Sequence, residues 1–252
     1  MHGRSPQLIA SFLSLSVMLT PASATAGTFL TRQLRAPRVV KALKAQSGPL
    51  REAFNQAQAA WPPRDLFLRA FKHEGLLEVW AGASQGGGLV RIWSLPLCAS
   101  SGVLGPKRRE GDGQIPEGIY RINRFNPRSA FHLSLGLNYP TAVDHRRAAD
   151  HDPGSDIFIH GGCASIGCLA IEDGPIEKLY LAAVMARDRG QRDLPVHLYP
   201  CRFGAPACEA ELSAYAAENP SLAPFWRTLR AKHDAFVGAS HPPDRRVEPA
   251  PR

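Results

Sequence analysis

The run Ile159-His160-Gly161-Gly162-Cys163-Ala164-Ser165-Ile166-Gly167-Cys168 constrains this chain more than any other feature. It is entered from the strand-like segment Asp156 to His160, and its glycines then force the chain to reverse. One turn therefore holds a histidine, a serine and two cysteines. Thiol catalysis needs a thiolate, a base to make it and donors for an oxyanion. His160 and Cys168 stand at the two ends of a turn that can fold back and bring imidazole and thiol together. Gly167, lacking a side chain, lets a substrate carbonyl reach the backbone N–H groups near Cys168. A helix starting soon after the cysteine would also favour a thiolate. Two other readings fit the same spacing. His160, Cys163 and Cys168 can be zinc ligands, with Cys201 or Cys208 as the fourth. Alternatively the cysteines are structural and the glycines serve only the turn. Spacing alone leaves all three open.

The N-terminus points to export. Arg4 precedes the apolar run Leu8 to Leu19, followed by Pro21-Ala22-Ser23-Ala24-Thr25-Ala26, which has the small-residue pattern of a signal-peptidase site. Residues 1–26 are expected to be a signal peptide cut after Ala24 or Ala26. The apolar run is well short of the roughly 20 residues a membrane span needs, so no transmembrane anchor is expected after cleavage. No cysteine adjoins the cut, which argues against a lipid anchor. Five cysteines is an odd number for an exported chain, so one is expected to stay unpaired. Cys201 and Cys208 can pair locally, and Cys98 and Cys163 can pair across the fold, which would leave Cys168 free. Export favours disulfides over structural zinc. The net charge of +8 suits an anionic polymer. The basic residues are scattered without interleaved aromatics, so a nucleic-acid partner is not expected.

Along the chain, residues 27–64 read as an N-terminal helical and linker segment, interrupted at Gly48-Pro49 and closed by Trp61-Pro62-Pro63. Short strands are expected at Leu66–Phe71, Leu76–Trp80, Leu89–Leu97, Ile119–Ile122, Ala130–Leu135, Asp156–His160 and Pro195–Tyr199. After Cys168 the period changes. Asp173 is suited to cap a helix whose apolar face carries Ile176, Leu179, Tyr180, Ala183 and Val184, and Gly190 stops it. Helices are expected at Glu209–Ala217 and Leu222–Phe236, within residues 203–237, and a Pro- and Arg-rich disordered tail at 238–252. The fold class is mainly β within α+β, with flanking helices.

The turn His160-Gly161 through Ser165-Ile166-Gly167-Cys168 resembles the active-site signature of the L,D-transpeptidase (YkuD-type) catalytic domain, and its compact form is similar to the YafK-like branch. Leu77-Glu78-Val79-Trp80, Gly105-Pro106-Lys107, Pro116-Glu117-Gly118-Ile119-Tyr120, His132-Leu133-Ser134 and Tyr139-Pro140 extend the resemblance, in the family's order, from about Asp65 to Asp173. It implies an L,D-transpeptidase-like β-sandwich catalytic domain at 65–202. It also implies Cys168 as nucleophile, His160 as acid–base group, and Gly161 as the third member, orienting the imidazole through backbone. Ser165 and Gly167 would shape the active-site loop, with the oxyanion hole at the backbone of Gly167 and Cys168. No metal or organic cofactor is implied. The implied reaction is acyl transfer through a thioester at diaminopimelate of peptidoglycan stem peptides, in the periplasm or cell wall. The alternative is hydrolysis of stem-peptide amides or of the bond to a wall-linked lipoprotein. Most members carry Arg two residues after the cysteine, where this chain has Ala170. Outside the turn, His132 is a candidate cleft residue or a half-buried structural histidine. Asp112 and Glu117 are candidate amine binders or ordinary turn residues.

Overall fold

The computed structural model describes residues 28–240. In chain order the helices and strands are α1 (Thr28–Gln33), α2 (Pro37–Gln56), β1 (Phe67–Phe71), β2 (Leu76–Gly82), β3 (Leu89–Pro96), β4 (Gly118–Asn126) and β5 (Ser134–Leu137). They continue with α3 (Ala142–Ala148), β6 (Phe158–His160), β7 (Leu169–Ala170), α4 (Asp173–Asp188), β8 (Leu194–Tyr199), α5 (Pro206–Glu218) and α6 (Leu222–Ser240). The strands form one curled, mixed sheet in the order β3-β2-β1-β8-β4-β5-β6-β7. Two pairings are parallel, β1 with β8 and β6 with β7. The fold is α+β, as expected.

Burial follows from the pattern. β4 alternates, burying Gly118, Tyr120 and Ile122 while Ile119 and Arg121 face out, as a half-covered strand should. α4 is buried on most of its circumference, including Ile176, Leu179, Tyr180, Leu181 and Val184, because it packs on α1 and α2 as well as on β5 and β6. The main core fills the space between these helices and the sheet. A smaller core around Phe71, Tyr199, Phe225 and Trp226 holds α5 and α6.

Three segments depart from the sequence pattern. α2 runs unbroken through Gly48-Pro49, with Leu50 and Phe54 fully buried beside Val39 and Ala42. That packing outweighs the hydrogen bond lost at Pro49. The strand expected at Ala130–Leu135 begins only at Ser134. Ser129 Oγ accepts the Phe131 N–H, and His132 has φ +64°, so the preceding residues form a turn that no strand can continue through. α6 runs through Ser240, past the boundary expected at 237. The rest of the tail and the signal segment expected at 1–26 lie outside the described residues. No helix among the described residues is long and apolar enough to cross a membrane.

Two fully buried glutamates tie the elements together. Glu78 accepts from Arg69, Trp80, Arg91 and Arg202. Glu117 accepts from Gly105 N at 2.7 Å and Trp226 Nε1 at 2.8 Å and pairs with Lys72 at 3.2 Å. The long connection from β3 to β4 is thereby fixed against β1 and α6, and that connection forms one side of the site.

Candidate active site

His160 ends β6 and Cys168 immediately precedes β7. The parallel register pairs Ile159 with Leu169 and His160 with Ala170, so Cys168 falls beside Phe158. Residues two apart share a face of a strand. The imidazole and thiol therefore emerge on the same side, one strand apart and offset by two residues, which places their Cα atoms on the order of 8 Å from each other. His160 is 3% exposed and its ring packs on Phe131, with centroids 4.7 Å apart. His160 Nδ1 lies 2.7 Å from Gly161 O. A carbonyl can only accept, so Nδ1 carries the proton and Nε2 is left as the basic nitrogen.

The half-buried Cys168 is the one free cysteine among the described residues. Its Sγ–H donates to Asp156 O at 3.6 Å. Burial pushes the thiol above its usual range. A hydrogen bond from the Phe158 amide opposes that shift, the Asp156 carboxylate adds to it, and the Lys107 ammonium lowers it. The expectation of a thiolate favoured by a helix start is therefore corrected. β7 and two further residues separate Cys168 from α4, so the sulfur is not at the helix N-terminus, where such stabilisation is confined.

Ser165 organises the loop. Its Oγ accepts from Gly167 N at 3.2 Å and Cys168 N at 3.0 Å, and donates to Cys168 O at 2.7 Å. The two amides expected to form an oxyanion hole are thus engaged within the loop. Gly167 has φ +123°, and a Cβ there would lie 3.0 Å from Gln114 O, so a side chain would collide with the long connection. Cys163 is bonded to Cys98 at the end of β3, and Cys201 to Cys208. These bonds take Cys163, Cys201 and Cys208 from the zinc reading, which keeps only His160 and Cys168 of its ligands.

Behind the turn lies a group that the sequence reading only touched. His132 Nε2 is 2.9 Å from Glu177 Oε1, and its Nδ1 is 3.8 Å from Asp173 Oδ2. Arg38 donates to the backbone carbonyls of Ser129 and His132. Asp173 is the first residue of α4, not its cap: Glu172 stands at the N-cap position, and the Asp173 carboxylate accepts Gly162 N–H at 2.9 Å. Asp112 holds its turn, accepting from Arg108 N, Arg109 N, Gln114 N and the buried Lys107, and it also lines the groove beside the site. Glu117 is fully buried, with both carboxylate oxygens engaged by Gly105, Lys72 and Trp226. The connection that abuts Gly167 also walls a groove of about 530 Å³ against α5 and α6, with Arg108, Arg109, Asp112, His151 and Glu218 on its lining.

Residues 78–193 match the sequence model of the YkuD L,D-transpeptidase catalytic domain. YafK of Escherichia coli strain K12, provisionally named an L,D-transpeptidase, is 31% identical over 180 residues, covering 71% of this chain and 69% of YafK. Among solved structures, the helical cell shape determining protein Pgp2 from Campylobacter jejuni shares 16% identity, covers 76% of each chain and gives a TM-score of 0.44. Bd1075 from Bdellovibrio bacteriovorus shares 19% identity over 64% of this chain and 59% of its own, with a TM-score of 0.38.

Proposed function

The chain belongs to the L,D-transpeptidase family, and from that premise we propose that it is a cell-wall acyltransferase with Cys168 as nucleophile and His160 as acid–base group. The observation that carries this reading is the β6–β7 register, which aims both side chains to one side of the sheet while Gly161 O occupies Nδ1. His160 Nε2 is then the nitrogen available to the thiol. Because burial raises the thiol, the proton leaves sulfur for Nε2 as Sγ attacks, not beforehand.

The attacked carbonyl would be that of diaminopimelate in a peptidoglycan stem peptide. The tetrahedral intermediate collapses to a thioester, and His160 gives its proton to the departing amine. An incoming amine or water then attacks the thioester, loses a proton to His160, and releases the Cys168 sulfur, which recovers that proton. Gly167 and Cys168 N–H would hold the oxyanion once Ser165 releases them. The neighbouring groove is lined by Arg108 and Arg109 and by Asp112 and Glu218, a mixed-charge surface that would meet both the carboxylates and the amines of a stem peptide. The periplasm or wall is the compartment in which such a substrate is met.

Water as the acyl acceptor is favoured by Ala170. This residue is fully buried in β7 and bridged to Ala99, and it stands where most members carry Arg, so it offers no charge to an acceptor carboxylate. The bond between a wall-linked lipoprotein and the stem peptide is a substrate of that kind. Incubation with muropeptides, with products identified by mass, tests both readings. Cross-linked or exchanged peptides mark transfer, and shortened peptides with a free amine mark hydrolysis. Equal products from wild type and Cys168→Ala would remove the thiol from the reaction.

A further inference from the structure

His160 is oriented by more than its own strand. Its Nδ1–H donates to Gly161 O at 2.7 Å, and the amide of the same peptide unit, Gly162 N–H, donates to Asp173 Oδ1 at 2.9 Å. In a trans peptide the C=O and N–H point in opposite directions. The unit joining Gly161 to Gly162 is thus strung between an imidazole and a carboxylate. Pulling the N–H toward Asp173 turns the carbonyl toward the ring. A charged acceptor on the N–H also polarises the amide and strengthens what its oxygen accepts.

The surroundings are built for this approach. A Cβ on Gly161 would lie 2.6 Å from Asp173 Oδ1 and 2.9 Å from both His132 Cβ and Ile176 Cγ2. Glycine is what lets the carboxylate come so close. Gly161 N–H donates to Leu133 O at 3.1 Å, which fixes the preceding peptide. His132 stands between Asp173 and Glu177, and Gln46 Nε2 donates to Glu177 Oε2 at 2.9 Å. His132 holds a left-handed backbone conformation with its carbonyl bonded to Arg38, so the residue that walls the Gly161 side is itself fixed.

We propose that Asp173 is a positioning residue for His160, acting through the Gly161–Gly162 peptide. It sets the Nδ1–H tautomer and so keeps Nε2 free toward Cys168. The inference rests on the acid–base role proposed for His160, but its primary test needs no substrate. Nitrogen-15 NMR of the imidazoles in the full chain distinguishes the two tautomers. Wild type should show His160 as Nδ1–H, and Asp173→Ala should shift it toward a mixture. Asp173→Asn keeps an oxygen acceptor and should remain near wild type. On muropeptides, Asp173→Ala should lower kcat by roughly 10–100-fold with KM within about twofold, the range for residues that orient a functional imidazole. Asp173→Asn should recover most of that loss. A wild-type tautomer and kcat in Asp173→Ala would overturn the proposal, as would equal losses in both variants that track a fall in melting temperature. A chain with the Nδ1–H tautomer lost in Asp173→Ala, yet with no action on muropeptides, would sink the proposed function and support the positioning role.

Discussion

The Ser165 hydroxyl bonds both ends of the Cys168 residue, accepting from its N–H at 3.0 Å and donating to its C=O at 2.7 Å. The backbone that carries the sulfur is thus held by a side chain three residues earlier. Ser165→Ala removes both contacts and the one to Gly167 N–H. Turnover should fall about tenfold, because the sulfur proposed to attack is no longer held in place. The melting temperature should drop by only a few degrees, since water can replace a hydroxyl at this partly exposed loop. Ser165→Thr keeps the hydroxyl and should retain most activity. Turnover in Ser165→Ala at or above the wild-type rate would mean that the hydroxyl merely competes with the oxyanion.

Burial raises the Cys168 thiol above its ordinary 9.0, and the Asp156 carboxylate adds to that effect. Alkylation by iodoacetamide should therefore be slow at pH 7 and still be climbing above pH 9. The other four described cysteines are paired, so peptide mapping should find the adduct on Cys168 alone. Asp156→Asn removes the carboxylate and should speed labelling at pH 8 by about two- to threefold. Stability should barely change, because the Arg124–Asp156 pair is more than half exposed on the Asp156 side. A rate already at its plateau at pH 7 would contradict this account.

β4 was legible because it has one buried face and prints a period of 2. α4 was legible from its length, its apolar residues at helical spacing and Gly190 just past its end, although its neighbours bury more of it than the one face the sequence suggests. The turn at Ala130–Leu133 was not legible, because Phe131 and Leu133 look like strand residues and only His132's backbone breaks the run. α3 is short and polar, yet its Thr141–Asp144 capping box was a usable signal. In the site, His160, Ser165, Gly167 and Cys168 lie in one contiguous run and could be read together. Phe131, Asp173 and Glu177 reach the same turn from β5's approach and from α4. Their part in it depends on long-range packing that spacing does not encode. The pairings of the cysteines, left open by the sequence, are settled by strand positions: Cys98 follows β3 and Cys163 lies in the turn after β6.

The Cys98–Cys163 bond spans a sequence separation of 65, and Cys201–Cys208 a separation of 7. In the chain-entropy account, closing the longer loop restricts the unfolded chain more, worth about 4 kcal/mol against about 2 kcal/mol for the shorter. Replacing Cys98 and Cys163 by Ala together should lower the denaturant midpoint more than replacing Cys201 and Cys208. The first pair also anchors the loop between His160 and Cys168, so its loss should reduce turnover even where the chain remains folded. Equal midpoint shifts, or full activity without the Cys98–Cys163 bond, would argue against the tether.

His197 should make stability fall on mild acidification. It lies on β8 with its ring edge-to-face on Phe67 at 4.6 Å, and Nδ1 is 2.9 Å from the Tyr199 hydroxyl, which can donate to a neutral imidazole. Burial pushes its pKa down to about 4, and the Lys232 and Arg69 charges add to the effect. In the unfolded chain it titrates near its ordinary 6.5. Between these values the unfolded chain binds a proton that the folded chain refuses, so stability drops as pH falls from 6.5 to about 4 and levels off below. By pH 4.5 the loss from this residue amounts to about 2 kcal/mol. His233, also lowered chiefly by burial, acts in the same direction. His197→Gln cannot titrate, so its urea midpoint should decline distinctly less than that of wild type between pH 7 and pH 4.5. The remaining slope belongs to His233 and to the carboxylates held low by their partners, such as Glu78 beside Arg69. Identical declines in the two proteins would show that His197 is free to charge within the folded state.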